Sequence, residues 1–412
     1  MKRRSREPMD TIVVIDFGGQ YAHLIANRIR RLGVYSEIAP PDASLESFKR
    51  YRGIILSGSP YSVLEQGSPL LDPAIVTLGI PILGLCYGHQ LIARLLGGAV
   101  AKGNVREYGR AQLRIVKKSP LFAGLDPIEQ VWMSHGDTVE TPAPSFEILA
   151  STDDCPAAAV GDISRHVYGL QFHPEVTDTP HGMKILDNFL IICKCARSWH
   201  PRTYVEALIA SIRRQCGNRK VFLLVSGGVD SSVAFALLTR AIGPERVMGL
   251  HIDNGLMRHN ESADILEYLG KHGFDNLKIE DATGDFLAAL RGVVDPEEKR
   301  RVIGRMFIEV KDRVFAGLAL DPEEWLLAQG TIYPDTIESA GTRHADRIKT
   351  HHNRVDAILE LIERGLIIEP LAELYKDEVR ELGEALGLPG RLVWRHPFPG
   401  PGLGVRVLCS DG

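Results

Sequence analysis

The amino-acid sequence predicts an α/β protein of two domains, one around a mixed central sheet and one around a doubly wound parallel sheet. Three observations carry that prediction. Short β-branched runs alternate with longer stretches whose apolar residues recur about every 3.6 positions, as expected for parallel strands covered by helices. At 412 residues the chain is longer than one ordinary core fills. The strand–helix rhythm also restarts near residues 197–203 with no repeat of the sequence itself, which marks a domain boundary.

In chain order, residues 1–10 (MKRRSREPMD) read as a flexible basic tail with no secretory-type apolar stretch behind it. A first domain spans 11–200. In it TIVVID, GIILSG and IPILGL read as strands, and YAHLIANRIRRLG and HQLIARLLGG as amphipathic helices. From 105 to 175 the runs AQLRIVKK, VWMSHGDTV, FEILAS, AAAVG and VYGLQFHPE follow one another as strands with few helices between them, so the sheet there is mixed. GMKILDNFLIICKCAR and VEALIASIRRQCG then read as helices on either side of the boundary. The second domain, 201–395, opens with the strand VFLLVSG and continues with the helices PEEKRRVIGRMFIEVKDRVFAGLA and AELYKDEVRELGEALG. Residues 396–412 are a proline- and glycine-rich tail, in which RHPFPGPGLGVRV predicts a shaped loop leading to a short strand.

Composition narrows the function. With 44% hydrophobic and 24% charged residues the chain is of the soluble globular type, and no apolar run approaches the ~20 residues that span a bilayer. A formal charge of −4 gives no reason to expect general nucleic-acid binding. The six cysteines, at 86, 155, 193, 195, 216 and 409, are scattered and suggest a reduced, cytoplasmic protein. Cys193 and Cys195 lack a second ligand pair nearby and read as ordinary thiols.

ILGLCYGHQLIARLLGG places Cys86 on a turn between a strand and a helix, with Gly84 and Gly88 on either side, as a strained nucleophile turn requires. The helix that follows aims N–H groups and a positive dipole end at the thiol. QFHPE supplies His173 as a base, with Glu175 two residues on to hold the imidazole in one tautomer. A lone cysteine or histidine is more often packing than chemistry; the combination on two such elements is what singles these out.

DFGGQY, ILSGSP, GLCYGHQ, MSHGD and GLQFHPEV follow in order the motifs of the class I glutamine amidotransferases, which this half resembles. The resemblance implies that Cys86 attacks the side-chain amide of glutamine, with His173 and Glu175 completing the triad and ammonia leaving. Backbone N–H groups around Gly58 and Ser59, together with Tyr87, would form the oxyanion hole, and Gln90 would help to hold glutamine. Ser59 stands where that family usually has a second glycine; it keeps the backbone donor unless the position needs a positive φ.

Ammonia calls for an electrophile, and VSGGVDSS (225–232) reads as the nucleotide loop that would help to make one. The loop of Ser226, Gly227, Gly228, Asp230, Ser231 and Ser232 lets backbone approach phosphate oxygens at a helix N-terminus. It has no lysine of the usual phosphate loop; Asp230 can instead hold Mg²⁺ against the pyrophosphate of ATP. A metal there makes pyrophosphate the leaving group and an adenylate the product. A glycine pair alone also suits a plain turn, but SGG-x-D-S resembles the signature of the ATP pyrophosphatases.

HIDNGLMRHNE, DPEEKRRVIGRMFIEV, LAQGTIYPDTIES, IKTHHN, LYKDEVRELG and RHPFPGPGL look like the GMP synthase family in particular. That resemblance implies that Lys376 reaches the ATP phosphates, Asp253 lies beside the nucleotide, and Gly330 and Thr331 line its adenine. Asp335, His351, His352, Arg395 and His396 would lie toward the acceptor. The implied reaction adenylates xanthosine 5′-monophosphate (XMP) at the C2 oxygen and lets ammonia displace AMP to leave GMP. The partners that the resemblance implies are small molecules: glutamine, ATP and a purine nucleotide. Two departures fall on the acceptor side. The family normally continues past HPFPGPGL into a dimerisation domain where this sequence stops at VRVLCSDG, so a monomer or a different pairing is expected. IKTHHN is usually followed by Gly-Gly-Leu-Pro, whereas NRVDAILELIERGLIIEPL here reads as a helix. They leave open another oxo-purine nucleotide as acceptor. A catalytically retired regulatory subunit is a further reading, against which stands the presence of every catalytic residue type.

Overall fold

The computed structural model describes residues 9–317, 324–340, 364–396 and 401–407. The chain divides between His200 and Pro201 into two compact units.

In the first unit the strands are β1 (Thr11–Ile15), β2 (Tyr35–Ala39), β3 (Gly53–Leu56), β4 (Ile82–Leu85), β5 (Ala99–Ile115), β6 (Ile128–Thr141), β7 (Glu147–Ser151), β8 (Ala159–Asp162) and β9 (Val167–Leu170). They form one sheet in the order β2-β1-β3-β4-β9-β8-β7-β5-β6. Its first five strands run parallel and the rest pair antiparallel, so the expected mixed sheet is what forms. The strands β3, β4 and β9 are buried at every position, which is why they read as unbroken apolar runs. Helices α1 (Ala22–Arg31), α2 (Leu45–Phe48), α3 (Tyr87–Leu95) and α4 (Gly182–Ile192) cover them. Val13, Ile15, Leu56, Ile82, Tyr87 and Leu91 belong to one core cluster between α3 and the parallel strands.

Two sequence expectations change here. β5 begins at Ala99, twelve residues before AQLRIVKK, because pairing with β6 reaches back to Ala99 opposite Thr141 across a register shift between Lys102 and Glu107. The glycines and charges of that stretch show no alternation of their own; the partner strand decides. Helix α4 stops at Ile192 rather than running on to residue 197. Lys194 turns to φ 56°, and the Cys195 N–H donates to Leu190 O at 3.1 Å, closing the helix C-terminus with a left-handed turn.

The second unit holds β10 (Lys220–Leu224), β11 (Val247–Asp253), β12 (Leu277–Asp281), β13 (Trp325–Ala328) and β14 (Ile367–Ile368), all parallel, in the order β12-β11-β10-β13-β14. The chain leaves β10 toward one edge and returns to its other side with β13, so a topological switch point lies at the C-terminal end of β10. Helices α5 (Pro201–Cys216), α6 (Val229–Ile242), α7 (Glu261–Gly270), α8 (Thr283–Leu290) and α9 (Pro296–Gly317) accompany the sheet. Phe222, Leu250, Ile252, Phe286, Ile303 and Val310 make the core between the strands, α8 and α9. Helix α6 packs with α5 and with the helix Lys376–Ala385. This is the doubly wound parallel sheet that the sequence predicts.

Helix α5 starts at Pro201, taking in the PRTY that the pattern leaves outside, because proline suits the first helical position. The helix Lys376–Ala385 starts later than AELY; Tyr375 caps it, its N–H donating to Glu378 Oε2 at 2.8 Å. The short strand expected after PGPGLG is instead a single 3₁₀ turn, Gly402–Val405. Among the described residues no helix is long and apolar enough to cross a membrane.

Candidate active sites

In the first unit, β4 ends at Leu85 and α3 begins at Tyr87, so Cys86 alone makes the turn, with φ 51° and ψ −101°. Such a conformation costs about 1–3 kcal/mol in a residue with a side chain. The neighbouring glycines explain how the turn is held. A Cβ at Gly84 would come within 2.5 Å of the Gly88 backbone, and one at Gly88 within 2.5 Å of Leu56 O. Only without those carbons can α3 lie this close to β3 and β4. The Cys86 N–H is fixed by Leu170 O at 2.8 Å, and its thiol points at Ser134 O, 3.6 Å away.

His173 and Glu175 follow β9 and are buried, 4% and 1% exposed. His173 Nδ1–H donates to Glu175 Oε1 at 2.7 Å, which leaves Nε2 for the thiol. Burial opposes a charge on this ring, but the Glu175 carboxylate and the hydrogen bond with Cys86 outweigh it and hold His173 well above its ordinary value. The arrangement can therefore carry an imidazolium beside a thiolate. Thr179 Oγ1 donates to His173 O at 2.7 Å, the His173 N–H donates to Trp132 O at 3.0 Å, and the Tyr21 ring meets the imidazole edge-on at 5.2 Å. Sequence reasoning missed these supports, because none of them carries a local signal.

The residues expected around the nucleophile fall as follows. A Cβ on Gly58 would lie 3.6 Å from His173 Cε1 and 3.9 Å from Cys86 Cβ, so Gly58 faces both. Ser59 adopts no positive φ, which removes the doubt over its replacement of a glycine. Its hydroxyl donates to Phe17 O at 2.9 Å. The Tyr87 hydroxyl is taken by Pro69 O at 2.6 Å, so only its backbone N–H, one of those a helix start leaves unpaired, faces the turn. Gln90 is buried and its Nε2 donates to Asp137 O at 2.9 Å and Gln171 Oε1 at 3.1 Å. His89, on the same turn of α3, is fully buried, and burial pulls its pKa down to about 3.

In the second unit the loop leaves β10 at the switch point. Gly227 has φ 75° and Gly228 caps α6. The loop is tied on itself: Ser226 Oγ lies 3.1 Å from Ser231 Oγ, and Ser231 Oγ donates to Gly228 O at 3.2 Å. Lys376 reaches Asp230 from 146 residues away, its Nζ 2.6 Å from both carboxylate oxygens. Gly330 packs on the same turn, where a Cβ would be 3.2 Å from Ser231 N. Ser232 Oγ and Thr331 Oγ1 are buried without a hydrogen-bond partner. Asp253 ends β11 and accepts the Gly255 N–H at 3.0 Å, and Asp335 accepts the Ile332 N–H at 3.1 Å. Arg395 Nη1 lies 3.9 Å from where a Gly227 Cβ would stand, and its guanidinium pairs with Glu261, a partner the sequence does not betray. His396 contributes its carbonyl to Arg258 Nη2 at 3.4 Å. His351 and His352, and most of the helix read after IKTHHN, lie outside the described residues.

A thiol on a strained turn with an oriented imidazole, and a self-capped glycine loop at a switch point, define a glutamine amidotransferase carried on the same chain as a nucleotide-binding α/β unit. Comparison with known proteins agrees. The family described as glutamine amidotransferase class-I matches residues 13–193, and that described as NAD synthase matches residues 203–298. A relative in Leptospira interrogans is 48% identical over 403 residues, 97% of this chain and 67% of its own length. The glutamine-hydrolysing GMP synthase of Syntrophomonas wolfei is 48% identical over 402 residues, 97% of this chain and 78% of that protein. That of Staphylococcus epidermidis is 49% identical over 403 residues, covering 97% and 77%. The chain belongs to the glutamine-hydrolysing GMP synthase family.

Proposed function

We propose that the protein converts XMP, ATP and glutamine to GMP, AMP, pyrophosphate and glutamate. The observation that carries this reading is the joint presence of the Cys86–His173–Glu175 line and the Asp230–Lys376 loop on one chain whose relatives over nearly its full length are GMP synthases.

In the first unit Cys86 adds to the amide carbon of glutamine. The N–H groups of Gly58, Ser59 and Tyr87 receive the oxyanion. His173, oriented by Glu175, hands its proton to the leaving nitrogen, and ammonia departs. Water then hydrolyses the glutamyl thioester with His173 as base. Gln90, with its amide nitrogen already committed, shapes the pocket floor.

In the second unit the backbone of Ser226 to Ser232 and the α6 N-terminus receive the phosphates of ATP. Lys376 moves from Asp230 to a phosphate oxygen. Asp253, Gly330 and Thr331 surround the nucleoside, with the unpartnered Thr331 hydroxyl free to meet a polar edge. Asp335, Arg395, His396, His351 and His352 are assigned to the acceptor side. Mg²⁺ fits this loop, since the two Asp230 oxygens already hold a cationic group together and Ser232 Oγ stands unpartnered on the same turn. When bound, the ion would neutralise the departing pyrophosphate. The C2 oxygen of XMP attacks the α-phosphorus of ATP and displaces pyrophosphate; ammonia then adds at C2 and displaces AMP, leaving the amino group of GMP. The setting is the cytoplasm, in keeping with six scattered cysteines whose spacing does not resemble a disulfide framework.

A product assay with Mg-ATP, glutamine and a panel of oxo-purine nucleotides, read by mass spectrometry, tests the reading. GMP, AMP and pyrophosphate in equal amounts from XMP are expected. Amination of another nucleotide with XMP ignored would overturn the choice of acceptor, and no AMP from any of them would overturn the reaction class.

A further inference from the structure

Glu107, His135 and Cys155, outside both sites above, bring a carboxylate oxygen, an imidazole nitrogen and a thiol sulfur within 4.8 Å of one another. Glu107 on β5 sits directly opposite His135 on β6, just where their register shift ends. Cys155 comes from the loop after β7, held by its N–H to Thr152 Oγ1 at 3.0 Å. His135 is 7% exposed and Cys155 fully buried.

The hydrogen bonds fix how the ring is used. His135 Nδ1 lies 2.9 Å from Asp137 O, a carbonyl that can only accept, so Nδ1 carries a hydrogen. A neutral ring then turns the Nε2 lone pair toward Glu107 Oε2, 3.2 Å away. Two acceptors facing each other, on a buried ring and a carboxylate only 12% exposed, repel unless something positive lies between them. Thr152 Oγ1 donates to Glu107 Oε1 at 3.1 Å, which orients the carboxylate from behind.

We propose that Glu107, His135 and Cys155 bind one divalent cation of the zinc class. Carboxylate oxygen, imidazole nitrogen and sulfur are the donors such an ion takes, and they favour it over the oxygen-seeking magnesium and calcium. An Nδ1–H donated to a backbone carbonyl is the outer hydrogen bond that a metal-bound histidine typically makes. On binding, the cation replaces the Cys155 thiol proton, which leaves to solvent. The role is positional. Ser134, the residue before His135, supplies the carbonyl that the Cys86 thiol faces, and Asp137 O receives both His135 and Gln90. A cation would thus clamp the β5–β6 hairpin against the nucleophile turn.

The full chain, stripped with a chelator and dialysed, is titrated with Co²⁺ as the probe, and visible and near-ultraviolet absorption are recorded. One Co²⁺ per chain with a thiolate-to-cobalt charge-transfer band is expected. Cys155→Ser should remove the band, and His135→Asn, which removes a direct ligand, should weaken binding by more than the ~10–100-fold that loss of an outer hydrogen-bond partner costs. The band should survive in Cys193→Ser/Cys195→Ser, which removes the other close thiol pair. That control, and the wild-type titration itself, decide the matter even where Cys155→Ser fails to fold. No stoichiometric binding by the wild type would overturn the proposal in favour of an imidazolium–carboxylate pair. A band lost with Cys193 and Cys195, or kept without Cys155, would overturn it in favour of the other thiols.

Discussion

The glutamine site and the nucleotide loop use the same local device, a parallel strand running through a glycine-bounded turn into a helix, yet they put the strain in different places. After β4 the positive φ falls on Cys86, with the glycines at either side; after β10 it falls on Gly227. Where a side chain is the reagent, the turn residue cannot be glycine, and the fold tolerates about 1–3 kcal/mol of backbone strain to aim it. Where the backbone is the binding surface, glycine removes both the strain and the obstructing Cβ. The two also differ in readiness. His173 is already bonded to Glu175 with both buried, whereas the charged groups of the nucleotide loop are bonded to each other.

Substitutions can break this comparison. Cys86→Ala carries the largest expected effect: glutamine-dependent GMP formation falls at least ~10⁴-fold while the ammonium-dependent rate is unchanged. Loss of both in a steady-state assay would contradict the division of labour. Asp230→Asn should lower the rate by about 10²–10³-fold with either nitrogen source, since the loss is of charge stabilisation at the phosphates. A variant impaired with glutamine alone would place Asp230 in the wrong reaction.

A smaller effect concerns stability. In the folded protein burial holds the pKa of His89 at about 3, below the ordinary imidazole value of 6.5. The unfolded chain therefore takes up this proton first. Stability from this group is intact above about pH 6.5 and is lost as pH falls toward 3, by about 3 kcal/mol at pH 4.5. Urea unfolding of His89→Gln should show a shallower acid limb; an unchanged limb would mean that His89 gains its proton in the folded state. Smallest is Ser59→Gly, which keeps the backbone donor and loses two hydrogen bonds, from the hydroxyl to Phe17 O and from the Tyr61 N–H to the hydroxyl, each worth about 1 kcal/mol. Its glutaminase kcat/KM should stay within about fivefold of the parent. A drop of a hundredfold would show that the hydroxyl, not the N–H, serves the reaction.

The parts legible in the sequence are those whose cause is local. Gly84 and Gly88 announce a close strand–helix crossing, and the closely spaced histidine and glutamate of QFHPE announce an oriented imidazole. The buried parallel strands declare themselves as apolar runs. What could not be read has its cause far away. The early start of β5 is imposed by β6. The end of α4 lies in the φ of Lys194, a residue with no turn preference. The Lys376–Asp230 and Arg395–Glu261 pairs join positions 146 and 134 residues apart. His135 was visible only as part of a motif, and its neighbours Glu107 and Cys155 meet it through sheet register.

The Asp230–Lys376 pair has a consequence for discrimination. Each partner neutralises the other, so a solitary anion that draws off the lysine strands a carboxylate, and a solitary cation that takes the carboxylate strands an ammonium. Only a visitor bearing both signs at once, such as a triphosphate with its own counterion, exchanges with the pair without leaving either charge bare. Both side chains stay partly exposed, 37% for Lys376 and 29% for Asp230, so water softens the cost of parting them, and the pair sets a preference for a visitor that brings both charges rather than a barrier to any other.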